Sequence, residues 1–452
     1  MTGADVAEAD STSLKLALLG LACASIEWYD FFIYATAAAL IFPGVFFAAK
    51  LPPLVALIAS FSTFAVGFVA RPIGALLFGH IGDKVGRKTA LVGALLLMGA
   101  ASTLIGLLPP YRIAGILTPV ALVALRLMQG LAVGGQWGGA MLLAMESAPK
   151  SRRGLYGSIA QAGVPVGVVL SNLAFFIANR ATSPEAFMAY GWRIPFVFSI
   201  VLVGLGMYIH FRMEDTEAFR RLRQAARPAD GAAPHQGVPP LLDALRSYPG
   251  LILLAAGAYV STNLNFYIVI TYVVAYATSA EGLHMPRGTL LSAVLIANVV
   301  LTPVMFLAGA LSDRYGRRVL FMSGVALTAV WAFVLFPLTE TRSMTWIMVA
   351  ILVGGIFSSL TYGPMAAMFA ELYDTRVRYS AISLSYQLGA IAGGGLAPII
   401  ATALYAKFHS NFWVSVYVAA ACALSLTCAG MLKETRFIDL AQTASASASS
   451  KG

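Results

Sequence analysis

Four ionisable side chains sit where the sequence is otherwise apolar, and they are the first candidates for chemistry. Glu27 and Asp30 lie in SIEWYDFFIY, inside a hydrophobic run from 16 to 47, and Arg71 and Arg126 lie in two later runs. At i and i+3 the two acids share one face of a helix and can present two carboxylates to one cavity. One charge at the centre of a membrane helix costs about 2.5–3.5 kcal/mol on insertion scales, so four isolated ones would cost on the order of 10–14 kcal/mol; they must pair or line water. One reading is a set of neutral salt bridges that locks the structure. The other is a protonation site: burial favours a neutral acid and a neighbouring arginine favours the carboxylate, so a small rearrangement switches the group between holding and releasing a proton. Protonation then frees the arginine for an anionic ligand. Intramembrane ionisable groups usually mark ion or substrate paths, which favours this second reading. Arg126 falls about ten residues into its run, ~15 Å by helix rise and near a bilayer midplane, whereas Arg71 lies nearer one end.

The elements that hold these groups are membrane helices. The chain has 452 residues, 59% hydrophobic and 11% charged, with a mean hydropathy of +0.80; soluble domains carry about 25% charged residues. Apolar runs of helix length recur throughout, which predicts an all-α integral membrane protein rather than a barrel. Twelve spans are predicted, at 16–47, 54–79, 89–108, 116–145, 155–178, 194–211, 250–278, 288–311, 319–338, 345–370, 380–406 and 412–432. The opening MTGADVAEAD is acidic and lacks the basic region of a cleaved leader, so the first span is expected to be retained. Cys23, Cys422 and Cys428 fall inside spans with no disulfide or zinc spacing, and no cofactor is expected.

The net charge of +10 has a topological meaning. Lys50, Arg112, Arg180, Arg193, Arg287, Arg342 and Lys407 fall on one side; with Arg71 and Arg126 inside, this leaves 21 of the 30 Lys and Arg on the other. The positive-inside rule then places both termini and the central loop in the cytoplasm. The basicity orients the chain in a bilayer and implies no nucleic-acid partner.

An internal repeat sets the organisation. GHIGDKVGRK (79–88) and GALSDRYGRR (309–318) share one pattern at an offset of 230, Glu146 and Arg153 are echoed by Glu371 and Arg378 at 225, and Glu214 after the sixth span is echoed by Glu434 after the twelfth. The predicted domains are an amino-terminal six-helix half (1–212), a cytoplasmic loop (213–249) containing the linker-like RPADGAAPHQGVPP, and a carboxy-terminal half with its tail (250–452). Two homologous halves suit alternating access by rocking. In each loop motif the glycines permit a tight turn, and Asp83 and Asp313 are placed to stabilise the start of the following helix.

The loop motifs resemble the signature loop motif of the major facilitator superfamily, and RLMQG (126–130) resembles its fourth-span motif. More narrowly, IEWYDFFIY, RPIGALLFGHIGDKVGRK, LAVGGQWGGA, ESAPKSRRGLYGS, GWRIPF and YQLGAIAGGGLAP resemble the metabolite:proton symporters, closest to the shikimate-type branch. That resemblance implies the major facilitator fold, a bacterial inner-membrane location, and import of a small carboxylate with a proton. It also implies a cytoplasmic gate, assigned here to Gly79, Asp83, Gly86, Arg87, Asp313 and Arg317 with Glu146, Arg153, Glu371 and Arg378. Proton coupling is assigned to Glu27, Asp30 and Arg126. The sequence departs from the family at Gln136, where the family commonly carries Glu, and this moves coupling onto the first span.

The second half has no predicted intramembrane charge. Its polar groups Asn263, Tyr267, Asn298, Tyr362 and Gln387, together with Arg71, Arg126 and Gln136, are the substrate-binding candidates, with interhelical packing as the competing reading for each uncharged one. Asn263 and Tyr267 are four apart and share a helix face. Gly163, Pro165 and Gly167, and Gly393 to Gly395 with Pro398, read as bends or close-packing points. The five histidines are scattered and neither H-E-x-x-H nor G-x-S-x-G occurs, so an enzyme is not expected. A sugar or zwitterionic-osmolyte porter, an uncoupled facilitator and a non-transporting receptor remain alternatives. The chain is expected to work as a monomer on a small molecule and a proton.

Overall fold

Long apolar runs have only one way to satisfy their backbone in lipid without a closed barrel, which is to bond within each segment as a helix. The computed structural model describes residues 3–84, 87–134, 148–214, 240–374, 377–436 and 438, and among them there is no β-strand. Twelve long helices follow one another: α1 (Gly3–Leu40), α2 (Pro53–Lys84), α3 (Arg87–Leu107), α4 (Leu117–Gly134), α5 (Arg153–Gln161 continued by Gly163–Ala181), α6 (Ile194–Glu214), α7 (Pro249–Tyr267, a π segment Ile268–Val273, then Val274–Thr278), α8 (Arg287–Tyr315), α9 (Arg317–Glu340), α10 (Met344–Leu372), α11 (Arg378–Ala390, a π segment Ile391–Gly395, then Ala397–Phe408) and α12 (Phe412–Met431). Among the described residues ten are long and apolar enough to cross a membrane, α3 adds a shorter apolar stretch Val92–Leu107, and α1 completes the twelve helices.

Most of these ends fall within a few residues of those expected from hydropathy. The first span is shifted: α1 stops at Leu40 and a separate short helix Phe42–Val45 follows, with Pro43 in its first turn, where a proline is tolerated. The expected fourth span runs past Gly134 into positions outside the described residues. Outward-facing Ile73, Leu76, Ile200, Val201, Leu253 and Val330 are exposed, as a lipid-facing surface requires.

Within the first six helices α1 packs on α5, α2 on α4 and α3 on α6; within the last six, α7 packs on α11 and α12, and α9 on α10 and α12. The two sets meet along α1–α7, α2–α11, α5–α8 and α5–α10. Glycine makes the α2–α4 seam possible. A Cβ on Gly74 would run into the Leu131 carbonyl, one on Gly130 into the Gly67 carbonyl, and one on Gly134 into the Arg71 carbonyl. Close backbone approach through small residues is how membrane helices associate without a hydrophobic drive. Here it brings Arg71 on α2 and Arg126 on α4 into one cluster.

Candidate functional site

Arg71 and Arg126 are among the largest fully buried side chains, and both are held by aromatic faces. The Arg71 guanidinium carbon lies 4.2 Å from the Phe68 ring centroid, 4.4 Å from Phe31 and 5.8 Å from Trp28. That of Arg126 lies 4.1 Å from Tyr34, 4.4 Å from Phe31 and 4.7 Å from Phe64. Phe31 serves both. Gly67 clears the space, since a Cβ there would stand 2.5 Å from Arg126 Nε. The rings come from helical spacing: Phe64, Phe68 and Arg71 line one side of α2, and Trp28, Phe31 and Phe32 one side of α1.

Neither arginine is in an ion pair among the described residues. Arg126 Nη1 donates to Gln129 Oε1 at 3.0 Å and Nε to the Phe64 carbonyl at 3.5 Å. Its Nη2, and Nε and Nη2 of Arg71, have no hydrogen-bond partner among the described residues. Cation–π contacts contribute about 0.5–2 kcal/mol each, whereas an uncompensated buried charge is strongly destabilising, by several kcal/mol. Two guanidiniums sharing one ring also repel. Among the described residues the cluster has no anion in contact, and three of its donor atoms are without a partner.

The acids do not supply that anion. Asp30 is 1% exposed and lies beside the hydroxyls of Ser102 on α3 and Ser199 on α6, with Oδ1 unpartnered. Glu27 is half-buried and pairs with neither arginine. Neither carboxylate is among the residues that line the cavity described below. Trp28 is the α1 residue that lines the cavity, and Asp30, two residues on, projects about 200° round the helix from it.

The cavity has a volume of about 80 Å³ and lies where α1 and α5 meet α7, α8, α10 and α11. Of the substrate-binding candidates, Asn263, Tyr267, Asn298 and Tyr362 line it; Arg71, Arg126 and Gln387 do not. The arginines stand behind a wall of rings, with Tyr267 at 5.3 Å from Phe68 and 6.3 Å from Phe31. Tyr267 is thus the link between charge cluster and cavity. Free polar atoms differ among the lining residues. Asn263 donates to the Tyr259 hydroxyl at 2.7 Å but keeps Oδ1 unpartnered, and Thr262 Oγ1 and the Tyr362 hydroxyl are unpartnered too. Asn298 spends its amide N–H on the Val294 carbonyl at 2.8 Å. Gln387 is buried beside the cavity with Oε1 unpartnered. The π segments of α7 and α11 follow directly on Tyr267 and the Gln387 turn, and Gly394 sits so close that a Cβ would meet Phe68, Tyr267 and the Asn263 side chain. Gly163 and Gly167 likewise admit α1 at Ala24 and Trp28.

A second polar cluster closes the end that bears the loop motifs. Asp313 on α8 accepts from the backbone N–H of Gly154 at 2.9 Å and of Leu155 at 3.0 Å, both in the first turn of α5, and from Arg317 Nη1 at 2.7 Å. Asp313 therefore caps a helix in the other half, not the helix that follows it. That role belongs to Glu434, which accepts from the N–H of Arg317 at 2.9 Å and of Arg318 at 3.0 Å. Gly316, at φ 107°, makes the intervening turn. Glu371 accepts from Arg317 Nε at 3.5 Å and from Thr435 at 2.8 Å. Arg153 Nη1 donates to the Ile438 carbonyl at 3.3 Å, and Arg378 Nε to the Tyr373 carbonyl at 3.2 Å. Gln136, Gly86 and Glu146 lie outside the described residues, as do the side chains of Asp83 and Arg87; Gly79 is placed only as part of α2.

Sequence reading missed several participants. Ser102, Gln129 and Ser199 connect to the charges, Thr262 lines the cavity, and Gln161 on α5 donates to the Tyr362 carbonyl on α10 at 2.7 Å, joining the two sets of helices at the cavity. The only signal for Gln161 is a long amide inside an apolar span, whereas Gln129 stands in the RLMQG motif with Arg126.

The comparisons with known proteins agree with this architecture. The family model of the Major Facilitator Superfamily matches residues 31–384 and 300–439. The chain is 38% identical to the inner membrane metabolite transport protein YhjE of Escherichia coli (strain K12), covering 93% of this chain and 94% of that one. It is 36% identical to the shikimate transporter of the same organism, covering 94% and 96%. Among solved structures, the proton:xylose symporter XylE bound to 6-bromo-6-deoxy-D-glucose superposes with a TM-score of 0.71 at 16% identity, covering 96% of this chain and 99% of that one. That last likeness speaks to the fold alone.

Proposed function

The chain belongs to the major facilitator superfamily, among its metabolite transporters, and on that footing we propose that it is a proton-coupled symporter importing a small carboxylate metabolite by alternating access. The observation that carries the proposal is the pair of fully buried arginines with three donor atoms unpartnered, and no acid in contact, among the described residues. An incoming carboxylate supplies the missing acceptors. Its hydroxylated or ring-bearing remainder rests against Asn263, Thr262 and Tyr362 in the cavity, and turning of the Tyr267 and Trp28 rings lets the charged end reach the guanidiniums. Asp30 carries the coupled proton. Release to the inside follows separation of Asp313 from the start of α5, as residues 1–212 and 250–452 rock about the cavity with 213–249 as the loop between them. The excess of basic residues on the loop-motif side supports cytoplasmic termini in a bacterial inner membrane. A single copy contains the whole pathway, which supports a monomer.

The test is uptake of labelled shikimate into proteoliposomes under an imposed inward proton gradient, with α-ketoglutarate, citrate, proline and glucose as unlabelled competitors. Accumulation abolished by a protonophore, with carboxylates as the strongest competitors, is the expected result. Saturable glucose or proline uptake untouched by organic acids would replace the carboxylate by a sugar or a zwitterion. Uptake that stops at equilibrium would make the protein a facilitator.

A further inference from the structure

At the loop-motif end, the last residue of α8, the start of α9 and the segment after α12 enclose a surface pocket of about 360 Å³. Arg318 and Arg436 line it together with Tyr315, Val319, Met322 and Glu434. Arg318 is anchored in the wall, because its Nη2 donates to the Gly430 carbonyl near the end of α12. Glu434 is the acid among the described lining residues, and its oxygens are taken. Oε1 accepts from the backbone N–H of Arg317, Thr435 and Arg436 at 2.9, 3.0 and 3.1 Å, and Oε2 from that of Arg318 at 3.0 Å. Four N–H groups fill the roughly four lone-pair sites of a carboxylate, which leaves it little with which to recruit a cationic ligand. The cations therefore set the sign of the pocket. Exposed Arg314, whose guanidinium carbon lies 5.4 Å from the Tyr315 ring centroid, and exposed Lys433 add to it from either flank. The apolar wall runs on into lipid-facing surface: Val319 is 62% exposed and Val330 69%, and with exposed Ala326 between them they share one face of α9. From Val319 to Val330 is about 16 Å by helix rise, the depth of one leaflet of a ~30 Å hydrocarbon core.

We propose that this pocket binds an anionic phospholipid from the leaflet on the loop-motif side, its phosphate between Arg318 and Arg436 and one acyl chain along the face formed by Val319, Ala326 and Val330. A guanidinium matches phosphate oxygens with its planar fork of donors, and basic pockets between membrane helices at headgroup depth take acidic headgroups. Tyr315 stands at the boundary between the basic and apolar parts, where an amphipathic ring belongs. A zwitterionic lipid offers the same phosphate, but its ammonium would lie among cations and find Glu434 already engaged. A soluble anion would use the arginines and leave the apolar face bare, so the two halves of the pocket together select a lipid. The proposal needs only that the chain spans a bilayer, and it stands or falls independently of the symport reading.

The test is native mass spectrometry of the purified full-length protein in detergent, titrated with phosphatidylglycerol or with phosphatidylcholine of the same chain length. The parent is expected to retain one phosphatidylglycerol in preference to phosphatidylcholine. A basic residue near a membrane surface is worth about fivefold in affinity for an acidic lipid, so Arg318→Gln and Arg436→Gln should each weaken phosphatidylglycerol by about fivefold and together by about 25-fold. Phosphatidylcholine should be unaffected, and Arg318→Lys, which keeps the charge, should keep most of the preference. Arg152→Gln combined with Arg246→Gln removes two cations from outside the pocket and should leave phosphatidylglycerol at its parental affinity. If Arg318→Gln does not elute as the parent does on size exclusion, Arg436→Gln alone carries the test. Equal retention of the two lipids by the parent, or the same loss in the pair outside the pocket, would overturn the site. Displacement of phosphatidylglycerol by glycerol 3-phosphate as readily as by a short-chain phosphatidylglycerol would make it a site for small anions and overturn the lipid.

Discussion

The molecule uses the same side chains in two places to opposite ends. At the loop-motif end both oxygens of Asp313 are engaged, and Glu434 and Glu371 take further N–H and O–H donors, across helices and across the two halves. At the centre Arg71 and Arg126 are packed against rings, with donors to spare and, among the described residues, no acid in contact. On the function proposed above, the charges bonded across the two halves act as the latch, although Glu371 Oε1 has no partner among the described residues. The central charges, with more of their donors open where water cannot fill them, act as the binding site.

Replacing Arg126 would break that contrast most severely. Arg126→Leu should lower the initial rate of substrate uptake by about 30- to 1000-fold, the effect expected on losing one partner of a buried charged contact. Arg126→Lys should recover little, because one ammonium cannot keep Gln129 and still present a planar fork. Uptake near the parental rate in both would mean that the central cations are structural.

Asp30→Asn sharpens the comparison by separating the proton from the substrate. It should keep counterflow of labelled for unlabelled substrate across proteoliposomes while losing accumulation against a gradient. The parent should take up more as external pH falls, since Asp30 takes its proton from that side, and the variant should not respond.

At the latch, Asp313→Ala leaves the first-turn N–H groups of α5 and one face of Arg317 without an acceptor. Losing such hydrogen bonds to a mostly buried charge costs about 1–3 kcal/mol. A cysteine placed at Ser158 in a background lacking the native cysteines should then react faster with a thiol reagent applied from that face. Unchanged reactivity would show that the halves are held by packing at Gly154 and Gly309 instead.

Within the cavity the expected effects are smaller and ordered by which atoms are free. Asn263→Ala removes an unpartnered acceptor and should raise KM by about 2- to 10-fold with little change in kcat, as for one hydrogen bond. Asn298→Ala should stay within about twofold, because its amide is already committed to Val294. The reverse order would mean that the substrate sits higher, against α8.

Much of this could be read from the chain because it depends on local pattern. Span ends follow hydropathy, and the paired loop motifs announce the repeat. Charges inside apolar runs are conspicuous in any membrane sequence, so Asp30, Arg71 and Arg126 were found at once. Their relations were not, since these are set by how helices rotate and which neighbours they meet. Asp30 turns towards α3 and α6, so its neighbours there are serines about 70 and 170 positions away in an otherwise ordinary apolar run. Phe31, Phe64 and Phe68 read as lipid-facing or core residues until α1 and α2 are packed, when they become the cage. Asp313 was placed on the nearest helix start, whereas the fold brings it to a farther one, because the two halves close against each other there.

The most direct test of the central claim is the lumen pH of proteoliposomes loaded with a pH dye, with no imposed gradient, when labelled shikimate is added outside. Substrate entry with simultaneous acidification in the parent, and with neither acidification nor accumulation in Asp30→Asn, is what the account predicts once protein-free liposomes are subtracted. Labelled substrate entering the parent vesicles while the lumen pH stays constant would contradict it.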